Sequence, residues 1–437
     1  MKGPELITLG CRLNIAESEA MAAAAAGEDD LVIVNSCAVT AEAVRQTRAA
    51  IRKAARERPG ARILVTGCAS EIEPESFRAM PEVAGVLPNQ HKLSALTTFV
   101  LSEVEVRAAN EPLVPRASTT LSTNEGYSRA FVPVQNGCDH DCTFCIIPKG
   151  RGASRSVPAG QVIADIQRLV DRGHNEVVLT GVDLTSYGAD LPGTPTLGSL
   201  VERILRHVPA LPRLRLSSLD SIEIDERLFE IVTGEPRVMP HLHLSLQAGD
   251  DMVLKRMKRR HLRRDATAMV ERLKGKRPEI AIGADLIAGF PTETEDMAAN
   301  TLRLIEDCDI VHPHIFPFSP RPGTPAARMP QVAPDRVKAR ARALREAGEA
   351  RRAAWLHGLV GTEQRVLVER GGKGHTEGFA AVTLTPLSNP VRAELVEAPA
   401  QPPSLALRQA QGERRVGEIH SVKVTALSGS TLLAEAA

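Results

Sequence analysis

The chain has 437 residues, a formal net charge of +1 and 3% aromatic residues. That length exceeds one domain. The charge excludes a globally basic nucleic-acid binder but not a local basic patch, and so few aromatics argue against wide stacking surfaces for single strands. The start, MKGPELITLGC, passes straight into a strand-like run without a leader, and the alanine run 22–26 is too short and too close to charge to span a membrane. A cytoplasmic protein with no membrane partner is expected. Its seven cysteines would stay reduced there, so they favour metal or catalysis over disulfides.

Residues 1–100 read as an open parallel α/β sheet domain. ELITLG, LVIVNS and ARILVTG are short apolar runs rich in β-branched residues, each bounded by Gly, Asn or Ser. Between the second and third, TAEAVRQTRAAIRKAARERPG predicts a helix capped by Thr40, with Glu42 in its first turn and Pro59-Gly60 at its end. Each strand run closes on a cysteine: Cys11, Cys37 and Cys68. The C-terminal strand ends of a parallel sheet line one crevice, so the three thiols can meet there. Three separate core cysteines are the plainer alternative.

Residues 101–125 are polar, carry Pro112 and Pro115, and read as a linker. From 126 to 357 the alternation resumes through AFVPVQ, EVVLTG, RLRLSS, HLHLSLQ, IAIGADLIAGF and HPHIFPF. Six such units predict a full or partial parallel (β/α) barrel with its chemistry at the C-terminal strand ends. A basic helix over 333–356 leads into residues 358–437. There, alternating apolar and polar residues with Gly turns predict a small antiparallel β-barrel, interrupted by a Pro-, Ala- and Gln-rich insert at 386–414.

NGCDHDCTFCIIPKG places Cys138, Cys142 and Cys145 within eight residues, just after a predicted strand. A structural zinc site wants four protein ligands, which His140 or a distant residue would have to complete. A [4Fe–4S] cube anchored by three thiolates keeps one iron open for a small molecule, and the C-x3-C-x2-C spacing suits it better. Cys308, far from both trios, is expected in the core.

The C-x3-C-x2-C motif resembles the signature of radical S-adenosylmethionine (SAM) enzymes. In that family the open iron chelates SAM, and an electron from the cluster breaks a C–S bond to give a 5′-deoxyadenosyl radical. The whole chain looks like a methylthiotransferase: a three-cysteine N-terminal domain, a radical SAM barrel and a C-terminal RNA-binding barrel of the TRAM type. The resemblance implies a second [4Fe–4S] cluster on Cys11, Cys37 and Cys68 that carries the inserted sulfur. It also implies two SAM molecules per turnover, a tRNA anticodon stem-loop as substrate, a low-potential electron donor such as flavodoxin or ferredoxin, and a sulfur donor.

TLGCRLNIAESEA, GCDHDCTFCIIPKGRGASRSVP and HIFPFSPRPGTPAARMP look like the enzymes that modify N6-threonylcarbamoyladenosine-37 of tRNA. Those acting on isopentenyladenosine-37 more often read Gln-Met-Asn in place of Arg12-Leu13-Asn14, and those acting on an aspartate of a ribosomal protein read Pro-Lys-Asn. Phe144 stands where the family places an aromatic beside the SAM adenine, though it can equally pack the loop. Gly181 lies in the segment that resembles the SAM amino-group site, where Asp183 replaces the usual His or Asn. Ser217 and Gln247 close strands and suit ribose or carboxylate hydrogen bonds, and Gly289 suits a SAM-lining loop. SSLDS departs from the Ser-Ser-Ile/Leu-Glu-Pro usual in the family, with Asp220 in place of the Glu. Basic groups that can meet tRNA are Arg45, Arg48, Arg52 and Arg56 on one helix face, the run 255–264, and Arg336, Lys338, Arg340, Arg342 and Arg345. A solvated charged face is the plainer reading of the first group and a linker with exposed charge that of the last; the denser run 255–264, near a strand end, suits phosphate contacts.

Overall fold

The computed structural model describes residues 3–97, 99, 128–384 and 416–436. The expected linker at 101–125 and insert at 386–414 lie outside the described residues. The N-terminal sheet runs β1 (Glu5–Thr8), β2 (Leu31–Ser36), β3 (Arg62–Gly67) and β4 (Gly85–Val86), paired in that order and all parallel. β2 is buried throughout because both its faces are covered. Val32 and Val34 pack with Ile51 of the helix Ala41–Glu57, while Leu31 and Ile33 pack with Met21 of the helix Arg12–Ala24. Thr40 caps the former helix as expected, its Oγ1 accepting the Ala43 N–H at 3.1 Å.

The central region follows with β5 (Ala130–Pro133), a small antiparallel pair β6 (Gln135–Asn136) and β7 (Arg155–Ser156), then β8 (Glu176–Thr180), β9 (Arg213–Leu216), β10 (Ser218–Leu219), β11 (His241–Gln247), β12 (Ala281–Ala288) and β13 (Ile310–Pro317). β5-β8-β9 and β10-β11-β12-β13 are parallel sheets in sequence order. The ladder breaks at Ser217, and a Leu214–Val238 bridge spans the gap. All six predicted barrel strands are present, and they form a partial (β/α) barrel.

Its outward residues, among them Val132, Leu179, Leu214, Leu244 and Leu286, meet the surrounding helices in the largest apolar cluster. The inward face is polar: Glu176, Arg213, Arg215, His241, His243, Asp285 and His312 all face it. The first helix closes part of this concave face through Ala16 and Ile15 on Phe131 and Val178. This contact places the N-terminal sheet over the barrel.

The helix Pro334–Leu359 leads to a closed barrel of β14 (Glu363–Glu369), β15 (Lys373–Thr376), β16 (Ala381–Leu384), β17 (Ile419–Ser428) and β18 (Thr431–Ala436), in the order β14-β15-β16-β18-β17. Its pairs are antiparallel except β16–β18. The β15–β16 turn reaches the N-terminal mouth of the central barrel. Arg215 donates to the Glu377 carbonyl at 2.9 Å, and the His312 ring bonds the Gly378 carbonyl at 3.0 Å. Among the described residues no helix is long and apolar enough to cross a membrane.

Candidate functional site

Cys11, Cys37 and Cys68 each follow the C-terminal end of a strand, and the register sets Ser36 beside Gly67 and Thr8 beside Asn35. The three chain reversals therefore stack side by side. Gly10 allows the closest approach: at φ +101 a Cβ there would stand 2.9 Å from the Cys37 Sγ. Burial pushes the Cys37 and Cys68 thiols up, and Cys11 adds to the rise at both; Arg151 pulls both back down. A trio of free thiols with one shared guanidinium is a donor set that fits three irons of a cluster better than three independent core side chains.

Arg151 comes from the other domain. It ends the helix Ile147–Arg151, which begins just after Cys145 and packs on the helix Cys68–Ile72. The packing is tight enough that a Cβ on Gly150 would lie 3.1 Å from the Cys68 Cβ. Arg151 donates to Glu17 at 2.9 Å and to Asn136 at 2.9 Å, and also to Asn14. Lys92 bonds the same Glu17 at 2.5 Å and Asn89 at 2.8 Å; Asn89 returns a bond to the Gly150 carbonyl at 2.5 Å. Burial works against the Glu17 charge, yet Arg151 and Lys92 hold its carboxyl below the usual range. This buried, charge-assisted network fixes the two cysteine segments against each other. Sequence reasoning missed Arg151, Glu17, Lys92 and Asn89; they become visible only when the two domains meet.

Cys138, Cys142 and Cys145 lie on one loop. Burial pushes the Cys138 thiol up to about 12 and Cys145 to about 11, and in both the neighbouring loop thiols add to the rise. Thr143 anchors the loop: its N–H donates to the Met257 carbonyl at 3.1 Å and its hydroxyl to the Arg256 carbonyl at 2.8 Å. Arg259 Nη1 lies 3.8 Å from the Cys142 Sγ and its Nη2 bonds Asp220 at 2.7 Å. His140, weighed as a fourth zinc ligand, lies with its Nε2 2.6 Å from Asp183, and that hydrogen bond raises its pKa. Cys138, His140 and Asp183 do offer ligand atoms within 4.8 Å of one another. Yet the Asp183–His140 pair leaves the trio of thiols as the loop's uncommitted donors.

The SAM candidates separate by environment. The Ser217 hydroxyl sits at the break in the barrel ladder, is 6% exposed and has no hydrogen-bond partner. An orphaned buried hydroxyl at the C-terminal strand ends fits a ligand. Gln247 ends β11 with φ +67, a strained conformation for a non-glycine residue at a functional edge. Phe144 meets Phe290 edge-to-face at 6.4 Å and packs with Phe318 and Met297, so loop packing accounts for it. A Cβ on Gly181 would approach Gln135 to 3.0 Å, and Gln135 Oε1 accepts the N–H groups of Val182 and Asp183 at 2.9 Å each. Those two amides are thereby spent on the protein itself. Gly289, read as part of a SAM-lining loop, instead meets Val337 of the long helix, 2.6 Å from where a Cβ would stand.

Much of the basic run 255–264 is bound internally: Lys258 to Asp141, Arg259 and Arg260 to Asp220, and Arg263 to Asp307. Lys258 and Arg259 thereby brace the loop of Cys138, Cys142 and Cys145, while Arg264 stays exposed. Arg48 pairs with Glu73, Arg45 with Glu42, and Arg336 and Arg340 with Glu295, as the solvated-face reading anticipates for most of them. Cys308 is fully buried, as expected.

Comparison with known proteins agrees with this geometry. Residues 132–305 match the Radical SAM superfamily, and residues 5–87 match Uncharacterized protein family UPF0004. The threonylcarbamoyladenosine tRNA methylthiotransferase MtaB of Rickettsia prowazekii is 46% identical over 386 residues, 87% of this chain and 91% of its own length. The tRNA-2-methylthio-N(6)-dimethylallyladenosine synthase of Erythrobacter litoralis is 32% identical over 384 residues, 84% of this chain and 86% of its own. Among solved structures, the radical SAM methyltransferase TsrM of Kitasatospora setae, with tryptophan and a SAM analogue bound, superposes with a TM-score of 0.50 at 16% identity, covering 68% of this chain and 64% of its own, which supports the fold alone. The radical SAM match brings SAM and a [4Fe–4S] cluster with it. The extent and identity of the first match make this chain a member of the threonylcarbamoyladenosine tRNA methylthiotransferase family.

Proposed function

We propose that this methylthiotransferase converts N6-threonylcarbamoyladenosine-37 of a tRNA anticodon stem-loop to its 2-methylthio form, in the cytoplasm, with two [4Fe–4S] clusters. Cys138, Cys142 and Cys145 hold the radical cluster; Cys11, Cys37 and Cys68 hold the auxiliary one. The observation that carries this reading is the packing of the Cys68–Ile72 helix on the helix that follows Cys145. It brings Cys68 of one trio within electrostatic reach of Cys145 of the other, which supports a working space shared by both.

When bound, SAM and the clusters supply the radical that removes the C2 hydrogen, the sulfur, and the methyl group. The chain's own residues do the rest. Arg151 and Arg259 set a positive charge beside each trio and offset part of the burial that pushes its thiols up. Ser217 and Gln247 line the C-terminal strand ends where SAM would lie, and Phe144 and Gly181 shape the loop around it. Ala16 and Ile15 of the first helix cover the barrel and exclude water. No side chain takes the part of a general acid or base. A low-potential donor such as flavodoxin or ferredoxin and a separate sulfur donor complete the cycle.

The relative of the dimethylallyl class keeps isopentenyladenosine-37 as the second reading, and the aspartate of a ribosomal protein is the third. Mass spectrometry of tRNA nucleosides from a deletion strain decides among them. The expected result is loss of 2-methylthio-N6-threonylcarbamoyladenosine, with 2-methylthio-isopentenyladenosine unchanged; the reverse pattern rejects the assignment. Anaerobic reconstitution should load about eight irons per chain, as two cubes require.

A further inference from the structure

The concave face of the central barrel is crowded with charges, and nearly all of them are matched. Arg215 and Arg213 share Glu176, at 2.9 Å and 3.7 Å. Arg129 pairs with Glu369 at 3.2 Å, and Glu377 is taken by Arg213 and Arg365. Asp285 accepts from His243 at 2.9 Å and from His314 at 3.3 Å. Arg12 is the exception. It is the first residue of the first helix, directly after Cys11. Among the described residues its guanidinium makes no ion pair and no hydrogen bond; its contact is with the Phe379 ring, 5.8 Å to the centroid. Arg129 and Arg215 stand over the same ring at 5.0 Å each. A half-buried cation held among other cations lacks an anion.

We propose that Arg12 binds the carboxylate of the threonylcarbamoyl group and so selects the substrate by its charged N6 arm. This rests on the function proposed above and adds what recognises the substrate. The C2 atom that receives sulfur and the N6 atom that bears the arm belong to one six-membered ring. A residue that reads the arm must therefore lie within a side chain's length of the sulfur-bearing centre. Arg12 meets that condition because it is the neighbour of a proposed ligand of that centre. A dimethylallyl arm has no charge and would leave the guanidinium unpaired on desolvation, so the same residue also rejects the neutral substrate.

The test compares three synthetic anticodon stem-loops bound to the reconstituted enzyme. One carries threonylcarbamoyladenosine at position 37, one its neutral methyl ester, and one dimethylallyladenosine. Wild-type protein should prefer the acid over the ester by about 10–100-fold in Kd, the span of one charge-assisted contact. Arg12→Gln should abolish the preference by weakening the acid alone, and Arg12→Lys should restore part of it. Iron content of Arg12→Gln should stay near the wild-type value, which separates recognition from damage to the cluster beside Cys11. The inference is overturned if Arg12→Gln keeps the preference, if wild type shows none, or if the variant weakens all three stem-loops equally, as a phosphate contact would. An enzyme that prefers the acid through Arg12 yet methylthiolates only the dimethylallyl stem-loop would instead refute the function proposed above and leave Arg12 as an anion site.

Discussion

The two cysteine trios reach similar ends by opposite routes. Cys138, Cys142 and Cys145 are neighbours in sequence, and a short loop pinned by Thr143 is enough to gather them. Cys11, Cys37 and Cys68 come from three strand ends, so the parallel sheet itself must form before they meet. The charge that accompanies each differs in the same way. Arg259 belongs to the barrel that carries its trio, whereas Arg151 crosses from the barrel to the N-terminal trio. A trio made by topology depends on domain docking; a trio made by spacing does not.

Single substitutions at the trios should give the largest effects and the sharpest contrast. Cys142→Ala should leave about four irons per chain, as one remaining cube requires, and abolish 5′-deoxyadenosine formation from SAM. Cys37→Ala should also leave about four irons, but SAM cleavage should persist while the methylthiolated nucleoside vanishes. Full iron retention in either variant would break the assignment of the trios.

Arg151 tests the dependence on docking. It is 2% exposed and serves Glu17, Asn14 and Asn136 together. Arg151→Met leaves Glu17 with Lys92 and a longer bond from Asn136, and loss of one partner of a buried pair costs about 3–5 kcal/mol. Urea unfolding of the protein before iron loading should show this loss, with Glu17→Gln in the same chain recovering part of it. Arg259→Met removes one of the two arginines on buried Asp220 but leaves the loop's anchors at Thr143, so iron loading on the radical trio should suffer less than iron loading on the N-terminal trio does in Arg151→Met. Equal losses would erase the distinction between the two trios.

Much of this was legible in the sequence, for reasons that differ by region. β2 and β3 were readable because strands buried on both faces are unbroken apolar runs, and Thr40 marked its helix by a local hydrogen bond. The barrel strands stood out although their inward faces are polar, since Arg213, Arg215, His241 and His243 alternate with leucines. Pairing between distant charges leaves no local trace. The basic run 255–264 looked like a phosphate surface because its partners Asp141, Asp220 and Asp307 lie far away in sequence. Gly181 and Gly289 stand where the backbone comes close to something, but spacing does not say to what; in the fold it is Gln135 and Val337.

The smallest expected effect concerns pH, and it separates the radical loop from the foot of the barrel by sign. His312 bonds the Gly378 carbonyl of the C-terminal barrel, and burial pushes its pKa down to about 3. An unfolded histidine titrates near pH 6.5. The stabilisation from a neutral His312 is therefore complete above about pH 6.5 and is lost as pH falls from there toward 3, by on the order of 1 kcal/mol at pH 5.5. His140 has the reverse sign. Its hydrogen bond to Asp183 raises its pKa, so what it contributes is present below about pH 6.5 and fades as pH rises through the raised value. Urea unfolding at pH 7.5 and 5.5 should show His312→Gln, which keeps a donor for Gly378, losing less stability on acidification than wild type. Asp183→Asn should lose more, because it removes the partner that favours protonated His140. If His312→Gln and wild type respond identically, the buried imidazole is not what ties the C-terminal barrel to the central one.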